Sequence, residues 1–423
     1  MAGSLIGQVR GRVVAHLARS LGLSHLALAE DAVQAASLRA LEVWPAQGVP
    51  ANPAGWLYRV ARHEAIDTLR VAGRHDVWPE DEEAAAASLP VVPPSEGRFS
   101  GELDDEELAL LFAACHPALP TASQVAIALR ALAGLDLATI AAGLLCSEAA
   151  LAQRLARARA QIAPEQLRLP AGHELPPRRD AVLTALSLAF HAGARARTRS
   201  AGDGAARQAA TTLCGEAIRL ARALAAHPAA AHADADALAA TLLLHGARLS
   251  GQLDEAGDIV LLPGQPRDRW DAGMVRMGLV HLQAAQRATH LSRWHLLAGI
   301  AAEHATAPDH ARTDWATIAG YYGWLVDADP SAAPRLGHAI ALAEAGAPQA
   351  ALERLRALQG CVPAPLQPHA LAAMARAHER LGETDEALKL LQQAADAAPH
   401  AADARALRRR AEAISCARAG PAP

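Results

Sequence analysis

The chain has 423 residues, 52% of them hydrophobic but only 3% aromatic, with a formal net charge of −4. That length suits about two to four domains of roughly 100–200 residues each, and apolar content drawn mainly from Ala, Leu and Val favours closely packed helices over sheet. Five widely spaced cysteines without a CxxC give no support to a disulfide framework or a zinc ribbon. The N-terminus reads as neither signal peptide nor anchor, and no run of about 18 apolar residues follows. The expectation is an all-α, cytoplasmic protein that does not enter a membrane.

The net charge conceals an uneven distribution. Residues 1–75 carry 8 Arg against 5 acids and residues 111–170 carry 5 Arg against 3, whereas residues 76–110 hold 11 acids and one Arg. Two mildly basic modules therefore flank an acidic strap, and a mildly basic face is what a nucleic-acid partner requires. Residues 171–423 have 26 basic and 25 acidic residues, which argues against a general nucleic-acid surface there.

In chain order, Val9, Val13, Leu17 and Leu21 recur at four-residue steps and predict a helix from about Ile6 to Leu21. In LALAEDAVQAASLRALEVW, Leu28, Ala32, Ala35, Leu38 and Leu41 form an apolar stripe opposite Glu30, Asp31, Gln34 and Arg39. A turn-rich stretch lies between Trp44 and Trp56. A third helix, Ala54 to Val71, places Leu57, Val60, Ile66 and Leu69 inward and leaves Arg59, Arg62, His63, Arg70 and Arg74 mostly outside. His63 and Asp67 share the i, i+4 spacing of a helical zinc motif, but the second His is lacking and no third ligand follows, so no metal is assigned.

Residues 76–107, rich in Pro, acids and small side chains, have too little apolar area to fold alone and read as a flexible linker. A second helical module covers 108–165. Cys115 beside His116 invites a thiol-catalysis reading, but neighbouring helical residues point about 100° apart and no partner acid is evident, so packing is favoured and no catalytic residue is assigned. From Leu137 to Ile162, Ile140, Leu144 and Leu145 define one helical face, Leu151, Leu155 and Ala158 a second, and Cys146-Ser147-Glu148 the turn between. Ser147 suits an N-cap and Glu148 the positive first turn, while Gln153, Arg154, Arg157 and Arg159 can reach bases and phosphates. This is the pattern of a helix-turn-helix with a major-groove recognition helix.

Successive helices continue over 171–330. Over 331–415 an internal repeat emerges: Gly346 and Gly382, Ala351 and Ala387, Leu352 and Leu388, Leu355 and Leu391, and Pro363 and Pro399 each lie 36 positions apart. Helix pairs at this period resemble tetratricopeptide repeats and stack into a surface that usually binds protein, making a protein partner there an expectation.

The strings AEDAVQAASLRALEVWP and NPAGWLYRVARHEAIDTLR, the helix-turn-helix with Gln153-Arg154-Leu155, and segments such as Asp268-Arg269-Trp270-Asp271 together resemble an extracytoplasmic-function sigma factor of bacterial RNA polymerase, in the subgroup with a long helical extension. The resemblance implies region 2 over 1–75 and region 4 over 108–165. It implies that Asp31, Gln34, Leu38 and Leu41 dock on the clamp helices of the polymerase's largest subunit, with the flap contacting region 4. It assigns Trp44, Asn52, Arg59, Arg62, His63 and Arg70 to promoter DNA near −10, and Ser147, Glu148, Ala150, Gln153, Arg154, Arg157 and Arg159 to the −35 duplex. No cofactor is implied, and the polymerase performs the chemistry. The sequence departs from the family pattern at Thr139, Ala150 and His191, which keeps open a different class: a sigma-like repeat scaffold acting as an adaptor or polymerase-sequestering regulator.

Overall fold

The computed structural model describes residues 2–21, 25–71, 108, 111–133, 137, 140–141, 146–161, 175–200, 203–227 and 231–419. The fold is all-α: among the described residues there is no strand, only an isolated bridge between Leu253 and Ile259. Two compact units divide the chain, Met1–Ala192 with Ala226–Ala230, and Gly193–Ala225 with Ala231–Pro423.

The first unit opens with α1 (Ala2–Leu21), α2 (Leu26–Gln47) and α3 (Pro53–Val71), which pack on one another pairwise. Val13, Val14, Leu17 and Leu21 of α1, Leu57, Ala61, Ala65 and Leu69 of α3, and a run of small residues on α2 form their core. The face of α2 differs from the sequence expectation. Its buried stripe is Ala29, Ala32, Val33, Ala36, Ala40 and Trp44, while Leu38 and Leu41 stand 58% and 46% exposed and Glu30 is buried. Alanine fits either side of a helix, so the bulkier Val33 and Trp44 set the inward face and turn the two leucines out. The helix also runs through Pro45 to Gln47 and stops at Gly48, whose φ of 84° is a conformation glycine adopts freely.

Two further helices of this unit, α4 (Thr121–Ala133) and α5 (Glu148–Gln161), pack on each other, and α4 also packs on α1. Glu30 of α2 receives Arg130 of α4 at 2.9 Å. Leu108, Leu111, Phe112 and Cys115 are fully buried, and the Arg178 guanidinium, from α6 (Leu175–Arg199), donates to the Phe112 carbonyl at 3.2 Å. The compact unit extends to Ala192 and so includes the first part of α6. Burial pushes the Cys115 thiol far above its ordinary range, so it remains a protonated packing group.

The second unit is built around α8 (Ala233–Ala247), buried on nearly every side. Before it comes α7 (Gly204–Ala226); after it α9 (Ala272–Ala285) and α10 (Arg293–Thr306) pack against it. Close approach of α8 and α9 depends on Gly278, where a Cβ would come 2.8 Å from Leu244. The buried acid of α8, Asp236, is met by His281 at 2.8 Å and Arg287 at 2.6 Å, as a buried carboxylate requires. Then follow α11 (Trp315–Ala328), α12 (Ala332–Glu344), α13 (Pro348–Leu358), α14 (Gln367–Arg380), α15 (Thr384–Ala397) and α16 (Ala401–Ala419). The α12–α13 pair recurs as α14–α15. Ala351 and Ala387 are both fully buried, Leu355 and Leu391 nearly so, and Gly346 and Gly382 both take positive φ between the helices of a pair. One apolar cluster runs from Leu336 through Leu355 and Met374 to Leu391.

Candidate nucleic-acid interface

The region 2 residues singled out by sequence separate into three groups. Asp31, Gln34, Leu38 and Leu41 are all exposed, and at about 100° per residue they lie along one edge of α2. They form a continuous stripe of one acid, one amide and two leucines. Leu38 and Leu41 thus leave two large apolar side chains uncovered on a single helix edge.

Of the residues assigned to −10 DNA, Arg59 and His63 are exposed and Arg62 is partly exposed, one after another along α3. Asn52 has a different local task. Its Oδ1 accepts the Gly55 backbone N–H at 2.9 Å, and Pro53 occupies the first helical position, so Asn52 is the N-cap of α3. Trp44 requires a correction. It is 3% exposed, with its ring edge-on to Trp56 at 5.6 Å between centroids, and belongs to the core between α2 and α3 rather than to a DNA-facing surface. An indole has too much apolar area to stay in water when a neighbouring helix offers a partner. The Arg70 side chain, like Arg74 and the linker 76–107, lies outside the described residues.

On α5, Leu151, Leu155 and Ala158 are buried and hold the helix to the module. The Ser147 hydroxyl accepts the Ala150 backbone N–H at 3.3 Å, and Glu148 stands in the first turn. Gln153 and Arg157 are exposed, Ala150 and Arg154 partly so; Arg157 Nε donates back to the Gln153 carbonyl at 3.4 Å. The helix preceding the turn is described only in part, with Ile140 and Ala141 buried. Thr139, Leu144, Leu145 and the Arg159 side chain lie outside the described residues.

Sequence reading missed the role of Glu30 and Arg130. Glu30 reads as a surface acid on the polar face of its helix, and nothing local signals that it meets Arg130, 100 positions away. Among the described residues, no group of three or more His, Cys, Asp or Glu is disposed to hold a metal ion, and no helix is long and apolar enough to cross a membrane.

Residues 5–75 match Sigma-70 region 2, and residues 178–286 match a family of unknown function, DUF6596. An uncharacterized protein of Rhizobium meliloti (strain 1021) is 36% identical over 341 residues, covering 79% of this chain and 78% of the relative. No solved structure matches the chain. The chain is thus an all-α protein with a sigma-70 region 2 domain at its N-terminus. It belongs to the same family as the Rhizobium protein.

Proposed function

We propose that the protein is an extracytoplasmic-function-type sigma factor that binds core RNA polymerase and directs promoter recognition and melting. The observation that carries this is the exposed Leu38–Leu41 edge of α2, lying inside the stretch that matches sigma-70 region 2. A surface of this kind, flanked by Asp31 and Gln34, suits a helical partner such as the clamp helices. Arg59, Arg62 and His63 on α3 supply positive and polar groups for separated DNA strands near −10, and Gln153, Arg154 and Arg157 on the Ser147-capped α5 suit the major groove of the −35 duplex. In this reading the polymerase performs the chemistry, and residues beyond the first unit regulate access to these surfaces or take a protein partner at the C-terminal helix pairs.

The test is reconstituted transcription from fragmented genomic DNA with purified core polymerase. The double variant Leu38→Glu, Leu41→Glu changes only exposed positions and keeps its helical content. It loses polymerase affinity by about 100-fold or more, since two interfacial leucines are worth about 1.5–3 kcal/mol each. Polymerase binding and start-site selection unchanged in the double variant would sink the assignment of this face.

A further inference from the structure

Several arginines of this chain meet a carboxylate: Glu344 takes Arg376 and Arg380, Glu30 takes Arg130, and Asp236 takes Arg287. The buried Arg178 and Arg197 donate to backbone carbonyls instead. A cluster in the second unit gathers two arginines with no ion pair to either among the described residues. Arg248, just past α8, and Arg267 both stack on the Trp270 indole, with guanidinium carbons 5.2 and 4.0 Å from the ring centroid. Arg267 Nη1 donates to the His304 carbonyl at 2.5 Å, which brings α10 into the same cluster. Four donor-capable nitrogens here are buried with no hydrogen-bond partner: Arg248 Nε, Arg267 Nη2, Trp270 Nε1 and His304 Nδ1.

The carboxylates nearest in sequence are otherwise engaged or exposed. Asp271 caps α9 through the Met274 N–H at 2.9 Å, Asp309 is held by Arg312 at 2.6 Å, and Asp268 is exposed. Asp309 does act on Arg267, but the charge acting on Arg248 is Arg267, of like sign; burial first and that repulsion second pull Arg248 down to about 10. Burial, then Arg248 and Arg267, lower His304 to about 3, so its ring is neutral at pH 7 and can donate or accept a single hydrogen bond. Both arginines remain partly exposed as side chains.

We propose that Arg248, Arg267 and His304 form a binding site for the phosphoryl group of a phosphorylated small molecule. A phosphomonoester carries about −1.5 to −2 charges near neutral pH and three acceptor oxygens. It balances two guanidinium charges and supplies acceptor oxygens for the unpaired guanidinium and imidazole donors. A monocarboxylate leaves one arginine uncompensated. Trp270 fixes both guanidinium planes before the ligand arrives, which lowers the ordering cost of binding. The site lies outside the interface assigned to the polymerase and promoter, and does not depend on that assignment.

Calorimetric titration of the full-length protein with inorganic phosphate, at ionic strength held constant with sodium chloride, tests the site. Saturable binding with one phosphate per chain is expected, weakened by about tenfold or more in Arg267→Gln. Arg248→Lys keeps the charge but loses the fork and weakens binding by a smaller factor. If Arg267→Gln fails to fold, Arg248→Lys decides, and unaltered phosphate affinity there overturns the site. So does the absence of heat beyond the chloride control, or binding confined to a single-stranded oligonucleotide with none to phosphate or glycerol phosphate.

Discussion

Two arginine clusters in the second unit share a composition of two guanidiniums and differ in what faces them. Around Glu344, Arg376 and Arg380 converge on one buried carboxylate. Around Trp270, Arg248 and Arg267 converge on an aromatic ring with no carboxylate between them. The first arrangement is self-sufficient, because the acid offsets the cost of drawing the cations from water. The second leaves buried donors unmet, a cost that folding alone gives no reason to keep. A cluster that a protein retains against its own stability is where function is to be sought.

The comparison can be broken most forcefully at Glu344. Glu344→Gln removes the carboxylate charge and leaves two arginines facing a neutral amide, at a cost of about 2–3 kcal/mol, somewhat relieved because Arg380 retains contact with water. Chemical denaturation of the variant against the wild type measures it. Acidification separates the clusters next. His304 is held near 3, so below its ordinary 6.5 the unfolded chain takes up a proton that the folded chain refuses, and stability falls progressively from pH 6.5 toward 3. At Glu344 burial opposes ionisation, but Arg376 and Arg380 prevail and keep the carboxyl below its ordinary 4.5; its contribution is present above that value and is lost as pH falls beneath it. Denaturation midpoints across this range should show His304→Gln flattening the slope above pH 4.5 and Glu344→Gln flattening it below.

Smaller effects sharpen the contrast. Glu30→Gln in the first unit leaves Arg130 partly solvated, and costs about 1–2 kcal/mol in the same assay. Arg248→Met retains the stem and removes a buried cation without a counterion, so stability changes by less than about 1 kcal/mol, with lost ring stacking offsetting relief from Arg267. A large loss of stability in Arg248→Met would instead make the Trp270 cluster a structural element like that at Glu344.

Much of the fold was legible because leucine periodicity marks helices well. The first and third helices, the capped α5 with its buried Leu151–Leu155–Ala158 face, and the 36-residue repeat were all readable in advance. What failed did so for a physical reason. On α2 the alanines carry almost no directional signal, so the apolar stripe was drawn through Leu38 and Leu41, whereas Val33 and Trp44 hold the inward face. Asn52 illustrates another limit, since the side chain that could meet a base is also the one a helix start needs. The pairings Glu30–Arg130 and Arg248–Arg267 depend on which helices pack together, and residue type alone cannot report them. The one local hint was Asp268-Arg269-Trp270-Asp271, noted for its resemblance and not for the guanidiniums that its tryptophan gathers.

The turns at Gly346 and Gly382, with φ of 90° and 78°, connect the two helices of each C-terminal pair by the same backbone joint. An identical joint at an identical spacing is a rule for growth. A further 36-residue copy spliced in after Leu358 would carry the same glycine joint inside its own helix pair and present the same apolar positions, so the array can lengthen in whole pairs. An insertion of any other length would rotate every following helix off the face it now covers.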